Sequence, residues 1–122
     1  MSTLGPVFAN NVKKSAEEFE LWVDSEGDLA GLPESALDGA KHEAEQKGQP
    51  DKWLFTLDYP SYGPFMSYAA SRPLRERMWK AFSFRATSGT YDNSANVHKI
   101  VGLRHDRARL LGYRTHAHYT LE

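Results

Sequence analysis

The sequence has no cysteine in its 122 residues. Disulfides and thiol chemistry are excluded, and a reducing compartment such as the cytoplasm is the simpler expectation. No apolar run approaches membrane-spanning length, and no signal-peptide core stands near the start. Net charge is almost absent, −1 at pH 7, so nothing in the molecule as a whole draws it to nucleic acid or to a membrane. A Gly-rich phosphate loop and a serine in a nucleophile elbow are both missing. So are internal repeats and low-complexity segments. No complete catalytic constellation can be assembled.

What is present describes a folded domain. Hydrophobic residues make up 40% and aromatics 12%, enough to argue against disorder. The charge is unevenly placed. Met1 to Asp58 holds 12 acidic and 5 basic residues, whereas Arg72 to Arg114 holds 10 basic and 3 acidic. The chain therefore reads as one piece with an acidic part, 1–58, and a basic helical part, 59–122. The two charges can attract each other across one core, or the basic part can present a nucleic-acid face. The first is the simpler reading.

Periodicity predicts a mainly α fold with a small two-stranded β element. Leu4, Phe8, Asn11, Val12 and Ser15 recur at helical spacing in a helix from Ser2 to Glu18. Phe19 to Val23 and Trp53 to Leu57 read as strands. Between them Pro33-Glu34-Ser35 opens a helix that Gly48 stops. Strand, helix, strand suggests a parallel βαβ unit. Asp58 to Pro64 reads as a rigid aromatic turn containing Tyr59, Pro60, Tyr62 and Pro64, followed by a short helical piece to Ala70. Helices are expected from Arg72 to Ala86 and from Ser94 to Leu111, with Thr87 to Asn93 as a loop. Gly112 is the expected C-cap of the longer helix, and Thr115 the N-cap of one more.

Candidate chemistry is thin. His42-Glu43-Ala44-Glu45-Gln46 approaches the zinc motif H-E-x-x-H but places Gln46 where the second imidazole is needed. His116 and His118 point apart on a helix, and His98 and His105 lie about 10 Å apart along one. No catalytic or metal residue is assigned. Tyr59, Tyr62, Phe65 and Tyr68 form an aromatic cluster that is expected to pack in the core. Arg85 and Arg104 fall inside the apolar arcs of their helices. A buried guanidinium needs acceptors, so both heads are expected on carboxylates or helix-end carbonyls, with snorkelling to solvent as the alternative.

Several ordered stretches resemble a known family. They are Leu32-Pro33-Glu34-Ser35; Trp53 to Met66; Arg75 with Phe82 and Arg85; Leu103-Arg104 followed by Ala108 to Tyr113; and Ala117 to Glu122. Together they are similar to the zinc-dependent oligopeptidases, the family of thimet oligopeptidase, oligopeptidase A and bacterial dipeptidyl carboxypeptidase. The dipeptidyl carboxypeptidase branch looks nearest. His118 departs from the pattern, which usually has an acid there. The resemblance implies a helical, two-lobed peptidase of short peptides, whose zinc motif and third ligand lie downstream of anything in this chain. It implies an internal, channel-walling piece of the N-terminal half, with zinc in the parent and none here. The remainder of the peptidase would be its partner. Without those neighbours, apolar faces of the first and last helices, Tyr119 and Leu121 among them, would drive self-association. A stand-alone interaction module, or a nucleic-acid binder using the basic part, are the competing readings.

Overall fold

The computed structural model describes residues 3–122. The order of elements is helix α1 (Leu4–Glu17), strand β1 (Leu21–Val23), helix α2 (Glu34–Gln46), strand β2 (Trp53–Phe55), and helices α3 (Tyr59–Tyr68), α4 (Arg72–Ser83), α5 (Ser94–Leu110) and α6 (His116–Leu121). The fold is mainly α with one two-stranded sheet, as the periodicity predicts. The expected helix start at Ser2 lies outside the described residues.

The glycine stops act as read. Gly48 follows α2 at φ +80, and Gly112 follows α5 at φ +87. In each case the chain closes the helix with the same pair of bonds. Gly48 N and Gln49 N donate to Glu45 O and Ala44 O; Gly112 N and Tyr113 N donate to Arg109 O and Ala108 O. A left-handed residue is required for this closure, and only glycine adopts it without a Cβ penalty. At the start of α6, Thr115 Oγ1 accepts from His118 N at 3.2 Å, the side-chain cap that its hydroxyl predicts.

The chain forms two compact units. One is Lys14–Arg85; the other joins the chain up to Lys13 with Ala86–Glu122. Their boundaries fall inside α1 and beyond α4, and neither falls at the change of charge near residue 58.

In the unit 14–85, the core is built on Leu21, Phe55, Phe65 and Met78, all essentially inaccessible. Phe55 and Phe65 meet edge to face with centroids 4.8 Å apart. Each such side chain contributes about 1.5–3 kcal/mol on burial. The strands pair antiparallel, not parallel: Leu21 lies opposite Phe55, and Val23 opposite Trp53. The handedness rule for parallel crossovers needs the connection to finish at the far end of the sheet. Here the segments 24–33 and 47–52 on either side of α2 are long enough to travel out and back. The connection ends beside the residue where it began.

Residues 59–64 are the first part of α3 and not a turn, with Asp58 as its N-cap. Pro60 sits in the first helical turn, where a missing N–H costs nothing. Pro64 lies inside the helix, and its ring would normally force the preceding residue out of the α region by striking its Cβ. That residue is Gly63, which has no Cβ. A Cβ there would come within 3.3 Å of the Tyr59 ring. At the end of α3, Arg75 Nη1 donates to the Ala69 and Ala70 carbonyls, and Ala70 N donates to Ala30 O at 2.8 Å. Gly31, at φ +87, passes so close to Tyr68 that a Cβ would fall 2.2 Å from the Tyr68 carbonyl oxygen.

Candidate interaction surface

In the second unit, one buried polar side chain fastens α1 to α5. Asn93 is 3% exposed, the only buried polar residue among those described. Its Oδ1 accepts from Asn11 Nδ2 and from Asn96 Nδ2, each at 2.9 Å. Its Nδ2 donates to Phe8 O at 3.0 Å. Its backbone N donates to Ala86 O at 2.7 Å, and its carbonyl accepts from Val97 N, opening α5. Both ends of the amide are thus satisfied, as burial requires. Beside it, Asp92 Oδ1 accepts from Ser94 N at 2.8 Å and Ser94 Oγ at 2.6 Å. These bonds hold the Asp92 carboxyl below its ordinary pKa, the Ser94 side-chain bond first. Sequence reasoning read 87–93 as a loop and missed Asn93, because its partners on α1, Asn11 and Phe8, lie more than 80 positions away.

The two helices held in this way enclose a groove of about 360 Å³ lined by Gly5, Phe8, Val97, Ile100, Val101 and Arg104. The floor is apolar. Further along α5, Leu103 stays more than a third exposed, and Leu110 and Leu111 are 87% and 53% exposed. The arc that periodicity marks as a core face is open along most of its length; Ala108 alone on α5 is buried. Beyond Gly112 the chain folds back. Tyr119 meets Tyr113 at 5.4 Å between centroids and lies under the Arg107 guanidinium at 5.0 Å. Tyr119 is therefore supported, contrary to expectation, whereas Leu121 is 87% exposed. The Tyr113 hydroxyl is pushed above its usual pKa by its hydrogen bond to Glu122. His118 Nδ1 lies 2.6 Å from Thr115 Oγ1 and its Nε2 3.5 Å from Arg114 Nη2.

The residues singled out from sequence fare differently from one another. Arg85 Nε donates to Phe82 O at 2.8 Å, and its guanidinium stacks 3.8 Å from the Phe82 ring centre. Arg104 is exposed and, among the described residues, makes no hydrogen bond or ion pair; the expected pairing has no counterpart. The reason is that the arc around it is itself uncovered, so its head is free to reach water. The aromatic cluster divides. Phe65 is buried, and Tyr62 stacks on Phe82 at 4.2 Å. Tyr59 and Tyr68 are 82% and 60% exposed, which corrects the expectation of a wholly buried cluster. Pro60 is exposed and Pro64 half-buried.

The residues on hand do not fit a zinc ion. Gln46 Nε2 lies 2.9 Å from His42 Nε2, on an exposed face of α2. Among the described residues no three His, Cys, Asp or Glu side chains come together as a ligand set. A second cleft, of about 240 Å³, lies between α2, β2 and the start of α3, with Ser35, Glu43, Thr56, Asp58 and Ser61 on its walls. Ser61 Oγ is engaged there as the acceptor for Thr56 N. Among the described residues no helix is long and apolar enough to cross a membrane.

Comparison with known sequences shows what this chain is similar to. The profile of Peptidase family M3 matches residues 65–122. The resemblance read from the sequence holds as a similarity: residues 65–122 are similar to Peptidase family M3, and nearly the whole chain is similar to oligopeptidase A. Across 99% of its length the chain is 43% identical to oligopeptidase A of Salmonella typhimurium, and 38% identical to a probable cytosolic oligopeptidase A of Arabidopsis thaliana. It spans 18% of the length of each of these relatives. Dipeptidyl carboxypeptidase of Salmonella typhimurium is 29% identical over 95% of the chain, which spans 17% of that relative's length. The branch expected to be nearest is therefore the more distant of the two.

Proposed function

We propose that this sequence serves as a non-catalytic, scaffold and channel-wall part of an M3 metallopeptidase that hydrolyses short peptides, belonging to its N-terminal half. The observation that carries the reading is the 43% identity over nearly the whole chain to a span equal to 18% of oligopeptidase A. The open apolar face of α5 agrees with it, since a wall element must present such a face to its neighbours. The metal that the family implies would be held by residues outside 1–122. The partner would be the remainder of the peptidase, and the cytoplasm its compartment, in keeping with the absence of cysteine.

The test is a graft. The stretch of Salmonella typhimurium oligopeptidase A that aligns with this chain is replaced by it, and hydrolysis of a quenched fluorescent peptide is measured. Activity in the graft, with none in the 122-residue chain alone, is the expected result. A stably folded but inactive graft, or chelator-sensitive hydrolysis by the chain alone, would refute the proposal.

A further inference from the structure

Three features of the α1–α5 groove point to what fills it. The floor is made by Phe8, Val97, Ile100 and Val101, of which Val97 and Val101 are 44% and 59% exposed. Gly5 leaves one wall without a side chain, and a Cβ built there meets nothing within 4 Å, so an incoming element can come close to the α1 backbone. Arg104 stands on the rim, exposed and, among the described residues, unpaired. Covering the floor removes the surrounding water from that guanidinium. A wholly apolar occupant would leave a desolvated charge without an acceptor, which costs several kcal/mol. An occupant carrying a carboxylate converts the same charge into a paired one.

We infer that the groove seats an apolar element bearing one carboxylate opposite Arg104, contributed by the part of the peptidase that lies outside this chain. The inference rests on the function proposed above. A second copy pairing α5 against α5 is disfavoured by charge. Lys99, Arg104, Arg107 and Arg109 stand on α5 against Asp106 alone, and two such helices repel.

The experiment compares one substitution in two settings. Arg104→Glu and Arg104→Gln are made in the isolated chain and in the oligopeptidase A graft, and melting temperatures are measured. In the isolated chain both variants should melt with the parent, because Arg104 has no partner there among the described residues. In the graft Arg104→Glu should melt several degrees lower and Arg104→Gln by less, because Glu faces a carboxylate while Gln only loses a bond. Equal effects in the two settings, or none in the graft, overturn the inference. A graft that fails to fold counts against the proposed function. The groove is then probed directly by amide NMR of the isolated chain, with two amphipathic helical peptides identical except for one Glu or Gln. Binding about fivefold tighter for the Glu peptide, with shifts at Gly5, Phe8 and Val101 and loss of the preference in Arg104→Gln, is expected. Equal or absent binding overturns it. Dimerisation of the isolated chain that Val101→Asp abolishes would assign the groove to a second copy, and so overturn it as well.

Discussion

Gln46 stands one helical turn after His42, and its amide nitrogen lies 2.9 Å from the imidazole Nε2. The side chain in place of the second histidine of a zinc motif is thus hydrogen-bonded to the first. Both lie on an exposed face, with Glu43 between them in sequence.

The chain as it stands should bind zinc no better than a surface imidazole does. Gln46→His would create H-E-x-x-H on α2, with two imidazoles able to reach one ion. Its zinc affinity should rise by about an order of magnitude, yet peptide hydrolysis should stay at the buffer rate, since the described residues supply no third ligand there. Zinc titration by calorimetry on both proteins is the check; a stoichiometric tight site in the unsubstituted chain contradicts the assignment.

Asn93 should dominate the stability of the unit it organises. Asn93→Ala removes its three side-chain hydrogen bonds and leaves the Asn11 and Asn96 amides without their acceptor. A loss of about 2–3 kcal/mol is expected, and about 1 kcal/mol for Asn11→Ala. Urea unfolding measures both. Equal, negligible effects would mean that the polar hub does not hold α1 to α5.

Asp92 makes the start of α5 sensitive to acid. Its carboxyl pKa is depressed in the folded chain by the bonds from Ser94. A depressed acid adds stability above its unfolded pKa and loses that contribution as pH falls through the folded value. Asp92→Asn keeps an acceptor oxygen but does not titrate. The melting temperature of the parent should therefore fall more steeply below the ordinary aspartate range than that of Asp92→Asn. Parallel pH profiles would remove Asp92 from the account.

The isolated chain should associate with itself at micromolar concentration, end to end through the leucines where α5 meets α6 and not by laying α5 along α5 over the groove. Leu110 at the end of α5, Leu111 just after it and Leu121 on α6 are all more than half exposed, and apolar burial yields roughly 25 cal/mol per Å². Leu110→Asp with Leu121→Asp should shift the chain toward monomer. Light scattering over a dilution series decides; a strict monomer at high concentration shows that these leucines need no cover.

The local signals in the sequence were legible, and the non-local ones were not. Gly48, Gly112 and Thr115 announce helix ends because the chemistry of a cap is contained in a few consecutive residues. The strand direction was misread because it depends on how far the flanking links travel. Helix α3 was obscured by Pro60 and Pro64: the first sits in the first turn, where a missing N–H costs nothing, and Gly63 relieves the second. The arc on α5 was seen, but periodicity reports which face is apolar and not what lies against it. Arg104 was placed in a core for that reason. Asn93 carries no local mark of the role that Asn11 and Phe8 give it.

The adjacency of Val23 and Trp53 has an evolutionary consequence. A connection that leaves and returns at the same place can gain or lose residues without altering strand register, because its ends do not move. Of the stretches beside α2, the exposed residues 50–51 can therefore absorb insertions at little cost. The crowded approach of Gly31 to Tyr68 offers no such freedom. Lineages of this sequence should drift in length at the first place and stay fixed at the second.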